Sequence, residues 1–437
     1  MIDPPNPDRL AEINDASIGE FPDLVLLERT RDQPQVDDVE AATRAAVDDV
    51  LDASALDDGA EVGITAGSRG IHDMPAILAA AVEHLQGNGY EPFVLPAMGS
   101  HGGATAQGQR DVLESLGITE ASVGCEIRSS MTVETVGRDA AGRPVYAATD
   151  ALDADAVLLA NRVKLHTDFH GDVESGLSKM AVIGLGKQRG ADVTHRAGLD
   201  EGLDVAIPER AAILFEETPI VGGIAMYENA ADRAAHVEGI PVDAIPDREP
   251  ELLAASEELF PRLPVDDLDL LIVDEIGKNV SGTGMDTNVI GRMNYHGQPE
   301  PDTPNYDRIY VRGLTPESHH NAIGMGLADF VHGDVVPEID LTDTYINGVT
   351  GGEPSRSSLP VIAPSDEVAL LLAYSSVGRG SPADLRIGYV ENTLEPDRIA
   401  VSAPVAAEVT DRNDIEAVNE VPLRVHDGDF AFDPFRS

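Results

Sequence analysis

The sequence predicts an α/β protein of two α/β domains, the N-terminal one a doubly wound, mostly parallel sheet, with the active site in the interdomain cleft. Three observations carry this. Short apolar runs alternate with longer segments of helical apolar spacing up to residue 161. Polar, glycine-containing segments follow three of the predicted strands. A proline-flanked helical segment, 247–267, closes this pattern before a second alternation begins. The expected domains are 1–262, Rossmann-like and catalytic, and 263–437.

The elements follow in order. A strand is expected over 25–29 and a helix over 36–56, where apolar residues recur at helical spacing. EVGITAG (61–67) has the pattern of a short buried strand; MPAILAAAVEHLQGNG (74–89) reads as a helix ended by Gly87 and Gly89. EPFVLPA (91–97) is the next strand, followed by the glycine-rich turn MGSHGGAT and the helix AQGQRDVLESLG. DADAVLLAN (153–161) is a strand that runs into a segment rich in lysine and histidine. In the second domain, LDLLIVD (268–274), RIYVRG (308–313), PVIAP (360–364) and RIGYV (386–390) read as strands.

Composition bounds the function. With 78 acidic and 30 basic residues the formal charge is −48, which argues against nucleic acid and anionic membranes, both bound through basic surface. The hydrophobic fraction of 42% supports folded cores rather than an acidic disordered chain. Acid spread over the whole sequence fits a halophilic protein, since concentrated salt shortens the Debye length to roughly 3 Å at 1 M. A single cysteine, Cys125, excludes an internal disulfide framework and any all-cysteine metal site within one chain. No signal-peptide pattern and no apolar run of membrane-spanning length is seen, so a soluble, cytoplasmic protein is expected. Oligomeric state stays open, a homo-oligomer included.

Lysine is the sharpest signal. The chain has only four lysines, and Lys164, Lys179 and Lys187 fall within NRVKLHTDFHGDVESGLSKMAVIGLGKQRGADVTH, together with His166, His170 and His195. Arginine stays protonated, whereas a lysine amine can be deprotonated and made to react. Lys179 precedes a fully apolar run, and desolvation lowers an amine's pKa and makes it a better nucleophile. His101 sits among Gly99, Gly102 and Gly103 at a strand's end; a lone loop histidine is commonly solvated, but these glycines keep its ring accessible. His166 is read as functional and His170 as a supporting or surface residue, because Gly171 and the missing HExxH glutamate argue against a helical metal pair. Arg69, in TAGSRG, suits a carboxylate clamp, against the alternative of one surface arginine among many. Lys278, in the glycine-containing segment EIGKNVSGTGMDTNVIGR, suits a loop over an anionic ligand, a surface lysine being the alternative. Nucleotide fingerprints fail: GLGKQRG has Gln188 where a P-loop needs Ser or Thr, and no GxGxxG follows the first strand.

The order of TAGSRG, PAMGSHGGAT, the lysine–histidine segment and DEIGKNVSGTGMDTNVIGR resembles the nickel-pincer lactate racemase family, in its broad branch of 2-hydroxy-acid racemase-like proteins. The resemblance covers most of the chain, and the spacing from Lys179 to His195 is its most specific element. It implies an isomerase in which a lysine holds a nickel-pincer nucleotide, nickel pyridinium-3,5-bisthiocarboxylic acid mononucleotide, through a thioamide. Nickel (Ni) is then bound by two cofactor sulfurs, a pyridinium carbon and one histidine. By motif position Lys179 would be the tether and His195 the metal ligand. His101 and His166 would be the acid/base pair, with Arg69 and Lys278 holding cofactor or substrate anions. The implied reaction is reversible hydride transfer from a lactate-like 2-hydroxy acid through a 2-keto acid, each histidine serving one enantiomer. Two departures from the lactate racemase pattern fall in this pocket: Ala66 replaces an acidic residue, and the His166–Lys179 segment is longer, with Asp172 and Glu174. From the residues alone, two other classes stay open: a zinc or iron hydrolase or lyase using the histidines, and a non-catalytic carrier of organic anions.

Overall fold

A computed structural model describes residues 5–435 and divides them between two units. One runs from Asp32 to Phe260; the other takes the chain up to Arg31 and from Pro261 onward. Strand β1 (Leu24–Arg29) therefore departs from the expected N-terminal sheet. Its apolar run specifies a strand but not a partner, and the partners it finds are strands from the far end of the chain.

The 32–260 unit holds β2 (Glu61–Ala66), β3 (Glu91–Pro96), β4 (Val133–Arg138), β5 (Pro144–Ala148), β6 (Ala156–Arg162), β7 (Ile220–Glu228) and β8 (Ala234–Pro241). Five of these form one sheet in the order β3-β2-β6-β7-β8, parallel except for the antiparallel β7–β8 edge. The β4–β5 ribbon stands apart as a two-stranded sheet. Strands β2, β3 and β6 are buried on both faces over most of their length, which is why they carry apolar runs. Val157 and Leu159 enter one core, while Ala156, Leu158 and Ala160 enter the other. Helices Val39–Asp52 and Met74–Gly87 supply the second core; Leu203–Glu217 and Ile245–Leu259 supply the first. Helices on both faces make this a doubly wound sheet. Strand β2 has β3 on one side and β6 on the other, so the chain reverses direction across the sheet at β2/β6. Ligand crevices form beyond the carboxyl ends of parallel strands at such a point.

The second unit is also α/β. Its eight-stranded sheet contains β9 (Asp267–Val273), β10 (Asn305–Val311), β11 (Phe330–His332), β12 (Val361–Ala363), β13 (Ile387–Val390), β14 (Arg398–Ser402) and β15 (Ile415–Val421). The order is β12-β11-β10-β9-β13-β14-β1-β15, parallel up to β13 and antiparallel beyond it. Leu24 and Leu26 of β1 share a core with the helix Asp366–Ser376. Among the described residues no helix is long and apolar enough to cross a membrane.

Candidate active site

Three loops at the carboxyl ends of β2, β3 and β6 carry Arg69, His101 and His166. Arg69 follows β2, His101 follows β3, and Lys164 and His166 follow β6. The β2 and β3 loops are tied together where Ser68 Oγ hydrogen-bonds His101 Nδ1. The β3 loop turns through Gly102 at φ +66°, where a Cβ would come within 2.4 Å of the Gly108 backbone; only glycine fits. The His101 ring is exposed.

The β6 loop is pinched where Lys164 N donates to Ser175 O at 3.0 Å and Ser175 N to Lys164 O at 3.2 Å. Inside it the buried Glu174 carboxylate organises the chain, accepting from His166 N at 2.5 Å and Gly171 N at 3.2 Å. It also pairs with His170 Nδ1 at 3.0 Å, so His170 is part of the loop's support. His166 packs on Phe169, ring centroids 4.8 Å apart, and its Nδ1 accepts from Asp168 N at 3.0 Å. Because a backbone N–H can only donate, a neutral His166 carries its proton on Nε2.

Lys179 lies in the first turn of the helix that begins at Leu177, and the buried Glu249 holds that turn's start. Glu249 accepts from Ser178 N at 3.1 Å and from Ser178 Oγ at 2.5 Å. Burial raises the Glu249 carboxyl, against the lowering effect of these bonds. Gly176 makes room: a Cβ there would sit 1.8 Å from Glu249 Oε1. A six-residue π-helical turn, Met180–Leu185, follows, and Lys187 takes a left-handed φ of +53° before the helix Lys187–Glu201, which carries His195. The break matters. Sixteen residues of uninterrupted α-helix would turn the two side chains about 160° apart, given 3.6 residues per turn.

Electrostatics show which residues share a neighbourhood. Burial lowers the Lys179 amine to about 8; Asp168 and Glu174 oppose this, while Arg69 and Lys164 add to it. Burial holds His166 well below its ordinary value, with further lowering from Lys179, Lys164, His195 and Arg69. His195 is lowered by burial and by Lys179, against Asp168 and Asp192, although its ring keeps an exposed surface open to a ligand. Arg69, Lys164, His166, Lys179 and His195 thus act on one another within one unit. His101 is tied through Ser68 to the loop that carries Arg69. Lys278 belongs to the other unit, on the loop after β9, where its ammonium donates to Asn347 Oδ1 at 3.0 Å. Asp168, Glu249 and Ser68 escaped the sequence reading. Asp168 stands beside His166 in sequence and was within reach of it; Glu249, on a helix 70 residues beyond Lys179, gave no local signal.

Among the described residues, one group of three His, Cys or carboxylate side chains lies close enough to share an ion: His332, Asp366 and Asp429, in the other unit. His101, His166 and His195 do not form such a group. Asp366 is committed elsewhere: its oxygens accept from Tyr310 OH at 2.7 Å, from Arg312 Nε and Nη2 at 2.9 Å, and from Phe430 N at 2.8 Å.

No protein-family model matches the sequence, and no curated protein matches it. Among solved structures the chain is similar to the lactate racemase apoprotein from Thermoanaerobacterium thermosaccharolyticum, at 10% identity and a TM-score of 0.50. The match covers 87% of this chain and 96% of that one. At this identity the likeness establishes a shared fold: two α/β units of the lactate racemase type.

Proposed function

We propose that the protein is an isomerase, a racemase or epimerase of small 2-hydroxy acids, that works with a nickel-pincer nucleotide held covalently by Lys179. The observation that carries this is the state of Lys179. It is a partly buried amine, lowered to about 8, at the capped start of a helix, surrounded by Arg69, Lys164, His166 and His195. The lactate racemase fold supports the same reading.

The donor set suits that cofactor. A lowered amine can form a thioamide, an accessible neutral imidazole at His195 can ligate a borderline-soft metal, and Arg69 and Lys164 can balance carboxylate and phosphate. When bound, the group supplies a hydride acceptor, which a 2-hydroxy acid needs because its Cα proton is not acidic at neutral pH. The chain's own residues bind, orient and move the hydroxyl proton. His101 can take it: Ser68 Oγ can accept from Nδ1–H, which leaves Nε2 as the basic nitrogen. In the conformation seen, His166 offers Nε2–H to an anionic substrate oxygen, and it becomes a base on that nitrogen by releasing Asp168 N–H.

The test is intact-mass and metal analysis of protein co-produced with cofactor-making enzymes, alongside racemisation of either enantiomer of lactate. An adduct and nickel present in the wild type and absent in Lys179→Ala are expected. An active protein with neither overturns the mechanism.

A further inference from the structure

Lys187 is one of four lysines in the chain, and its side chain is 1% exposed. Its backbone takes a left-handed φ of +53°, a conformation that side-chain-bearing residues adopt only when their surroundings hold them there. The surroundings are the loop of His101. Lys187 Nζ donates to Pro96 O, at the end of β3, at 2.5 Å and to Gln109 Oε1 at 3.0 Å. Gln109, itself fully buried, turns its amide nitrogen to Gly99 O at 2.9 Å and His101 O at 3.4 Å. The segment before Lys187 is seated on the same loop. Gly99 N donates to Gly184 O at 3.4 Å, and a Cβ on Gly184 would lie 2.7 Å from Ala97 O.

We infer that Lys187 and Gln109 are positioning residues that lock the His101 loop to the break between the Lys179 and His195 helices, so that base, tether and metal ligand keep one mutual geometry. This rests on the reading of His101 as the base. Placement of a buried amine here is otherwise unfavourable. Burial lowers it to about 8, and Asp150, which opposes this, makes no hydrogen bond through its buried Oδ2. An apolar side chain would pack here at lower electrostatic cost, but only the amine can bridge a strand end and the Gln109 relay. Gln109 is equally specific: it must accept on one side and donate twice on the other, which only a carboxamide does.

Two substitutions separate the parts of the relay. Lys187→Met removes the donor at nearly constant volume. Gln109→Glu keeps an acceptor for Lys187 but cannot donate to Gly99 O or His101 O. The readout is the imidazole ¹H/¹⁵N resonances of His101 in the full-length, cofactor-free protein, assigned by their loss in His101→Asn. Both variants are expected to shift the His101 signals while those of His236 and His426 stay in place. In loaded enzyme kcat should fall about 10- to 100-fold, the scale for losing a supporting hydrogen bond, with KM little changed. If Lys187→Met fails to fold, Gln109→Glu decides. A folded Gln109→Glu protein whose His101 resonances superpose on the wild type overturns the inference. Shifted resonances in a protein whose wild type racemises nothing would leave the positioning role standing and remove the proposed function.

Discussion

The cluster around Lys179 and the cluster around Arg312 draw on similar residue types and reach opposite electrostatic states. In the second unit Arg312 is paired with Asp274 and, in bidentate fashion, with Asp366. Tyr389 OH donates to Asp274 Oδ1 at 2.6 Å, and Tyr310 OH to Asp366 Oδ1. Burial and these carboxylates push both phenols up, so the network keeps its protons where its hydrogen bonds need them. Around Lys179 the bases outnumber nearby acids, and burial lowers Lys179, His166 and His195 alike. A satisfied network stabilises. An under-neutralised one is costly to maintain, and shifted groups of this kind cluster at functional sites.

Paired substitutions test that contrast, beginning with the largest effect. Lys179→Met should abolish nickel loading and racemisation while leaving the fold intact and, at neutral pH, at least as stable as before, read by metal content, activity and urea unfolding. Arg312→Leu should do the reverse, costing about 3–5 kcal/mol of stability because Asp274 and Asp366 are left without their cation. Should both variants lose the same property, the clusters do not differ in kind. Gly176→Ala comes next. With its Cβ driven into Glu249, it should cost about 1–3 kcal/mol in the same unfolding assay.

The pH dependence is smaller but has a definite sign. In the folded chain the Lys179 amine titrates near 8, against roughly 10.4 when unfolded. Between those values the unfolded state binds more protons, so the burial penalty is complete below pH 8 and is lifted as pH rises toward 10. Amine labelling at Lys179, followed by peptide mass, should therefore show a midpoint near pH 8, and wild-type stability should gain on Lys179→Met across that window. A midpoint above 10 would remove the distinction between this lysine and a solvated one. The smallest effect is expected for His332→Asn. It should leave metal content unchanged and cost about 1 kcal/mol or less, since it removes one hydrogen bond to the half-exposed Asp429.

The legibility of the site followed the range of each interaction. Short apolar runs in EVGITAG, EPFVLPA and DADAVLLAN located β2, β3 and β6, because burial on both faces demands uninterrupted apolar runs. The scarcity of lysine located Lys179 without any knowledge of its surroundings. The β4–β5 ribbon and the β7–β8 edge were not read, as their strands are short of apolar runs or interrupted by glycine.

By itself, then, the sequence determined the α/β class, the strand–loop positions of Arg69, His101 and His166, and the chemical candidacy of Lys179. Only the tertiary structure decided the sheet that receives β1, since pairing partners can come from anywhere in the chain. It also decided that Glu249 would cap the Lys179 helix and that Lys187 would join its break to the His101 loop. Periodicity reports which face of an element is buried. It carries no information about which distant donor will meet a given carbonyl.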